Sequence, residues 1–389
     1  HGPSGAASDF CGQPGGDPQT FPTRSARQIW GPVHADRDLM NMLATLGARG
    51  EFLRQASKCR SMGSSFVASV LEAVDRQIEH GPVSDAMIVG WRGDPAAAGV
   101  AMRVNGALHA LARRGEPPHL AALYRGEHED FDGAIAVAFA QQDQFIADWI
   151  RHPTQTNEVA RTAAIMGALM SAGQRRAMPF DLLELGSSCG LNLNLARYAY
   201  RLGAISAGDP LSALHIEPQW RGASPPVAPV EIATARGVDL NPLDASNPRH
   251  RERLLAFAWA DQPARSKRLE AALQIAVEHP PRVDQGDATA WLAQRLAEPQ
   301  EAGRCRAVVH TMFTQYLQDG ARREVGAMIA AAGARATADR PLVWISFEWT
   351  AERTEVDLRL TSWPLGESVV LAKCHPYGDW LEWCAPDAR

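Results

Sequence analysis

Asp181-Leu-Leu-Glu-Leu-Gly-Ser-Ser-Cys-Gly-Leu-Asn-Leu-Asn194 is the stretch whose reading decides the fold. Leu182, Leu183 and Leu185 form a short apolar strand. The small residues Gly186 to Gly190 then turn the chain, and Leu191 opens a new segment read as a helix start. The acid Glu184 stands just before the turn. Glycine removes the Cβ that would hold a ligand off the backbone. A helix start leaves N–H groups without intrahelical partners. The turn is therefore a candidate ligand loop.

Three patterns compete for it. A dinucleotide fingerprint needs G-x-G-x-x-G, but those positions hold Gly186, Ser188 and Leu191. A phosphate-cradling loop ends in Gly-Lys-Ser/Thr, and no lysine is present. The third pattern is the acid-x-Gly-x-Gly-x-Gly loop of class I S-adenosylmethionine (SAM)-dependent methyltransferases. Glu184, Gly186 and Gly190 fit it, with Ser187 between and Ser188 replacing the middle glycine. An ordinary strand-to-helix turn remains the bland alternative.

Length and composition frame the search. At 389 residues the chain exceeds the roughly 250–300 at which a single core stops growing, so two domains are expected. A net charge of −5 gives no basic surface for a nucleic-acid backbone or an anionic membrane. Cys11, Cys59, Cys189, Cys305, Cys374 and Cys384 are scattered without a C-x-x-C pair. That argues against a zinc site or a disulfide framework and for a reducing, cytoplasmic setting. No apolar run approaches the roughly 18 residues of a membrane span, and no signal-peptide pattern opens the chain.

Residues 1–30 are rich in Gly, Pro, Ser and Thr and are read as a flexible tail. From 31 to 172 the periodicity is helical. Phe66, Val67, Val70, Leu71 and Val74 follow Ser64 and Ser65. Val100, Val104, Leu108 and Leu111 stop at Gly115 and Pro117. Phe131, Ile135, Phe139, Ile146 and Ile150 halt before Pro153. Five to seven helices are expected, forming a lid that shapes a substrate pocket. From 173 to 389 strands and helices alternate. Strands are predicted at 182–185, 237–240, 282–283, 307–310, 343–347, 358–363 and 369–373, and helices at 192–200, 249–259, 288–296 and 321–332. Such alternation implies a parallel sheet. The last two strands, meeting at Pro364–Gly366, should form an antiparallel hairpin at a sheet edge. The expected fold is α/β: a Rossmann-like seven-stranded class I methyltransferase sheet behind an N-terminal all-helical domain. The Pro- and Gly-rich segment 204–236 is read as an insertion near the ligand.

In open α/β sheets ligands lie beyond the carboxyl ends of the strands. Asp239 ends the second predicted strand, where an acid can accept both ribose hydroxyls of a nucleoside. Asp287 follows the third, where it can meet an adenine amino group. His310 ends the fourth, facing the departing methyl group in this architecture. Taken singly, an Asp after a strand is more often a helix cap, and a lone His a satisfied core residue. Their succession behind Glu184 and Gly186 is what points to a nucleoside.

The chain also resembles a bacterial family of unknown function whose C-terminal half is similar to a class I methyltransferase. The resemblance runs from about residue 50 to 383. It is carried by Gln155-Thr-Asn-Glu-Val159, Glu184-Leu-Gly-Ser-Ser-Cys-Gly-Leu-Asn-Leu193, Arg236-Gly-Val-Asp-Leu-Asn-Pro242, Trp259-Ala-Asp-Gln-Pro263, Pro280-Pro-Arg-Val-Asp-Gln-Gly-Asp287 and Gln315-Tyr-Leu317. It implies the fold and supplies no established activity.

Asn157, Glu158 and Arg161 precede the methyltransferase-like half. Read plainly, Thr156 caps a helix and Glu158 complements its dipole. Read functionally, this helix start hangs over the loop, and Asn157 and Glu158 bind the methionine end of SAM or the substrate. Asn192, Asn194, Gln315, Tyr316, His375 and Tyr377 are further pocket candidates. Cys189 lacks a partner base and reads as loop filling. His310 is the first candidate general base and Glu158 the second. The expectation is a SAM-dependent methyltransferase that acts on a small molecule and releases S-adenosylhomocysteine, with no metal. The alternatives are a non-catalytic nucleoside-binding or interaction protein of the same fold and, more remotely, a nucleotide-dependent enzyme.

Overall fold

The computed structural model describes residues 47–175 and 177–384. The predicted tail, Cys11 and the first residues of the predicted helical domain lie outside the described residues. Six helices open the described chain: α1 (Gly47–Ser61), α2 (Ser65–Gln77), α3 (Pro82–Val89), α4 (Val100–Arg114), α5 (Pro118–Tyr124) and α6 (Phe131–Ile150). Their apolar stripes close on one core that includes Phe52, Leu71, Leu108, Leu120, Phe139 and Ile146. The expected stop of α4 is observed, with Gly115 in the left-handed conformation (φ 81°).

A seventh helix, α7 (Thr162–Arg175), falls inside the predicted helical region. Its Ala164, Met166 and Leu169 nevertheless pack in the core of the sheet that follows. That sheet is built on β1 (Phe180–Leu185), β6 (Ile232–Asp239), β7 (Val283–Gln285), β8 (Cys305–Thr311) and β9 (Leu342–Trp349). These five run parallel in the order β7-β6-β1-β8-β9. Side-chain alternation sorts each strand between two faces. Leu182 and Val309 join α7 and α9 (Pro263–Glu278) on one face. Leu183 and Val308 join α10 (Ala288–Ala297) and α11 (Asp319–Gly333) on the other.

All seven predicted strands are present, but the sheet has nine. After β9 the chain returns as a meander through β10 (Val356–Trp363), β11 (Glu367–Cys374) and β12 (Trp380–Trp383). The hairpin at Pro364–Gly366 is therefore internal rather than at the edge. β5 (Gln219–Gly222), from the predicted insertion, pairs with β12 and forms that edge. Ile205–Gly208 of the insertion packs against Leu191–Arg197 just past the glycine loop, while its residue Glu231 lies away from the loop. Glu231 accepts a hydrogen bond from Phe180 N–H at the opposite, amino end of β1.

The helix predicted at 192–200 is also replaced. Leu191–Arg197 forms a short 3₁₀ stretch. β2 (Ala199–Leu202) then pairs with β3 (Ile205–Gly208) and β4 (His215–Ile216) in a small second sheet. The phenols of Tyr198 and Tyr200 donate to the carbonyls of Leu191 and Leu195, satisfying groups that an α-helical ladder would use.

The two cores meet along α4 and α8 (Pro248–Phe257) and through the segment Trp259–Pro263. Trp259 is buried in the helical core. Asp261 accepts from Ser64 Oγ (2.7 Å) and from Phe66 N–H (3.2 Å), so it caps α2 from the other side of the joint.

Candidate functional site

β1 and β8 are neighbours in the sheet, but the chain leaves β1 toward β6 and returns later to β8. The crevice beyond their carboxyl ends is the topological switch point where open α/β sheets bind ligands. Among the described residues, three non-glycines have left-handed backbone, and two of them flank this crevice: Ser188 (φ 53°) after β1 and Met312 (φ 54°) after β8. Such strain costs about 1–2 kcal/mol per residue and gathers at functional sites. Ser188 thus holds, at some cost, the conformation that the missing middle glycine would adopt freely. At Gly186 a Cβ would come within 2.7 Å of the Phe313 ring, so a side chain from the β8 end covers the loop closely.

Glu184 ends β1 with 2% of its surface exposed. Asn192 Nδ2 donates to its Oε1 (2.8 Å), and its Oε2 is buried without a partner. Burial pushes its carboxyl up to about 8. Asn192 and Ser187 pull the other way, the Asp239 charge adds to the rise, and the Arg161 guanidinium opposes it. Two further buried acceptors of the same loop, Ser188 Oγ and Asn192 Oδ1, also lack partners. Buried polar atoms are rarely left so. Three on one loop mark a place built for donors that come from outside the chain.

Asp239 ends β6 beside this loop. Its Oδ2 accepts from Ser188 N–H (2.8 Å) and its Oδ1 from Asn241 N–H (2.9 Å). The carboxylate fixes the loop and retains further acceptor capacity on each oxygen. Asp287 is exposed and accepts from Ala290 N–H, capping α10 as the plainer reading of the sequence expects. The anticipated free N–H groups after the loop are partly taken: Leu191 N–H donates to Asn157 Oδ1 and Leu193 N–H to Gly190 O.

The segment before α7 does reach the loop. Asn157 makes the bond just described, and Gln155 Nε2 donates to Asn241 O just past β6. Thr156 is not the cap expected. Instead Glu158 Oε1 accepts from Ala160 N–H at the head of the 3₁₀ turn Val159–Arg161. Glu158 Oε2 accepts from Arg265 Nε (2.7 Å), both side chains being 6% exposed. Arg265 lies on Tyr377, 3.9 Å from the ring centroid. Arg161 is buried and donates through Nε to Pro376 O (2.8 Å). The loop of Pro376 and Tyr377 follows β11, which runs parallel to β9, so it shares the carboxyl rim. His375, in that loop, is held by Asp379 (3.1 Å).

His310, buried at the end of β8, has both ring nitrogens engaged. The Trp344 indole N–H, which can only donate, points at Nε2 (2.9 Å), so the proton resides on Nδ1 and is donated to Glu348 Oε1 (2.6 Å). Burial pushes the Glu348 carboxyl up, but the bonds from His310, Phe313 N–H and Thr314 outweigh it and hold it below the ordinary value. Gln315 donates to Met312 O, and Tyr316 is 68% exposed on the rim. Asn194 is spent on His279 O.

The structure thus brings Asn157, Arg161, Glu184, Ser187, Ser188, Asn192 and Asp239 together at the loop, with His310 close by through Phe313. It leaves Asp287, Gln315 and His375 on separate local bonds. Sequence reasoning missed Phe313, Trp344, Glu348 and Arg265, and named Tyr377 without its partner Arg265. Gln315-Tyr316 lay close to Phe313, and Trp259–Pro263 close to Arg265. Among the described residues no cluster of three or more His, Cys, Asp or Glu is arranged to hold a metal, and no helix is long and apolar enough to cross a membrane.

Residues 49–383 match the model of a family described as "Uncharacterized protein conserved in bacteria (DUF2332)". No curated protein and no solved structure matches the chain. The family's description names no activity.

Proposed function

The chain belongs to this bacterial family, and we propose that it is a SAM-dependent methyltransferase acting on a small molecule. The observation that carries the reading is the unpartnered Oε2 of buried Glu184, set against the left-handed loop at Ser188. An ammonium group supplies the donors that Glu184, Asn192 and Ser188 lack. In this reading the backbone of residues 186–190 packs along the thioether end of the ligand. The remaining lone pairs of Asp239 take the ribose hydroxyls. Asp287, with Oδ1 committed to its helix, offers Oδ2 to the adenine amino group. SAM, when bound, supplies an electrophilic methyl group. The protein's share is alignment and exclusion of water, which together are worth about 7–11 kcal/mol of a two-reactant barrier. His310 holds Glu348 at the crevice. It can take a proton from an acceptor only where Trp344 releases Nε2.

A second reading, a nucleoside-binding protein without catalysis, is favoured by one observation. Neither candidate base has a free basic atom: His310 is bonded at both nitrogens, and Glu158 at both oxygens. Two measurements separate the readings. SAM or S-adenosylhomocysteine is expected to raise Tm, and Asp239→Ala to abolish the rise. Isotope-labelled methyl from SAM is then followed into small-molecule extracts. Binding with transfer supports the enzyme, and binding without transfer supports the second reading. No binding at millimolar ligand ends both.

A further inference from the structure

The joint between α4 and α8 holds a cluster of donors without an acid to receive them. Two guanidiniums converge there on the carboxyl end of α6. Arg103 of α4 is 9% exposed and donates through Nε to Ala98 O (2.8 Å) and through Nη1 to Ile150 O (3.0 Å). Arg253 of α8 is half-buried and donates through Nη2 to Pro153 O (2.9 Å). His152 lies between Ile150 and Pro153 in the chain and is exposed to solvent. A guanidinium has five N–H donors; Arg103 uses two and Arg253 one. Among the described residues no carboxylate lies within 4.0 Å of either arginine or of His152. The indole N–H of Trp149 is buried without an acceptor, and the centre of its ring is 5.7 Å from the Arg253 guanidinium carbon.

The three cationic groups feel one another. Burial pulls the Arg253 pKa down to about 10, and the charge of Arg103 adds to the fall. Burial also lowers the His152 pKa, and Arg253 and Arg103 lower it further. Asp148 opposes them at His152, but it is paired with Arg151 (3.4 Å). The plain reading is that the two arginines cap α6. The carboxyl end of a helix carries about half a negative charge, whereas two guanidiniums, which stay protonated in proteins, carry two positive ones. More than one positive charge is therefore left over among the described residues. A buried charge without a counterion is costly.

We infer that this joint binds an oxyanion, the phosphate or carboxylate group of a small ligand, between Arg103 and Arg253 with His152 at the mouth. Guanidinium forks match the oxygens of both groups. Aromatic rings flank the place: Trp91 lies 5.1 Å from the Arg103 guanidinium carbon, and Phe257 5.9 Å from that of Arg253. They favour a ligand with an apolar or planar body beside its anionic group. Residues 153–157 run from here to the glycine loop, yet the site is separate from that loop and stands without the nucleoside reading.

Calorimetric titration of the full chain with inorganic phosphate and with benzoate, at constant chloride, tests it. Saturable binding of at least one oxyanion is expected, and the tighter of the two fixes the ligand class as a phosphate ester or a carboxylic acid. Arg253→Met is expected to weaken that binding about 10-fold or more. Arg253→Lys keeps the charge but loses the fork, so it is expected to weaken binding by less. No saturable binding of either oxyanion overturns the inference and leaves the arginines as caps of α6. Binding of unchanged affinity in Arg253→Met overturns it as well, because the anion then sits elsewhere. A cooperative thermal transition of each variant confirms that it is folded. Where Arg253→Met does not fold, Arg253→Lys carries the comparison, and unchanged affinity in it overturns the inference.

Discussion

Burial opposes the charge of Glu184. Its pKa is raised from 4.5 to about 8 in the fold. Across that interval the folded state binds a proton that the unfolded state has released, so this group's stabilisation is complete below about 4.5 and is lost as pH rises through about 8. Without ligand, the wild type should lose stability relative to Glu184→Gln over this window, by up to about 1.4 kcal/mol per pH unit. Chemical denaturation at stepped pH reads it, and parallel curves for the two proteins would refute the assignment. Ser188 gives a second test. Ser188→Gly should change stability by no more than about 1 kcal/mol and keep S-adenosylhomocysteine binding, whereas β-branched Ser188→Val at φ 53° should cost about 1–3 kcal/mol. At this scale the sequence revealed the acid and the glycines, because spacing along the chain is what a loop motif is made of. It made Ser188 look like a defect, since a backbone conformation is invisible in residue names. His310 was legible as a strand-end residue, but its partners were not. Trp344 and Glu348 reach it only because β8 and β9 pair in a register set by the fold.

At the scale of elements, the joint between α4 and α8 is the most exposed to single changes. A Cβ on Gly106 would come within 2.7 Å of the Phe257 ring and 3.3 Å of Trp149 Nε1. Gly106→Ala should wedge the two helices apart and cost about 1–3 kcal/mol in denaturant titration. An unchanged midpoint would mean that the joint is softer than its packing suggests. Asp261→Ala should remove the cap of α2 and cost about 1–2 kcal/mol. The long elements were readable here. Strands with apolar residues on both faces, such as Ala307–His310, and helices with clear stripes appear where expected. β2 to β5 and β12 escaped because runs of two to four residues carry too little alternation to register. The helix expected at 192–200 failed for a tertiary reason. Residues 199–202 gain two strand partners, and two tyrosines tie off the preceding carbonyls.

Over the whole molecule, helical core and sheet are clasped at the carboxyl rim by residues 155–161, the start of α9 and the loop at 375–379. The buried Glu158–Arg265 pair is the centre of that clasp, and Arg265→Met would leave the Glu158 charge only the longer contact to Arg268 at 4.0 Å. The expected loss is about 3–5 kcal/mol, and a change below about 1 kcal/mol would show that water relieves the carboxylate. A cavity of about 1130 Å³ lies at the other end of the sheet. It is lined by Phe180, Leu360, Trp363 and Trp383 at the rim where the parallel strands begin, opposite the glycine loop. Two ends of one sheet therefore compete as ligand sites, and the unpartnered acceptors of Glu184, Ser188 and Asn192 lie at the carboxyl end. A crystal structure of the chain with S-adenosylhomocysteine at saturating concentration discriminates between them most directly. The account predicts the ligand in the switch-point crevice, ribose on Asp239 and ammonium group on Glu184. Ligand density in the amino-end cavity, or an empty crevice, would contradict it.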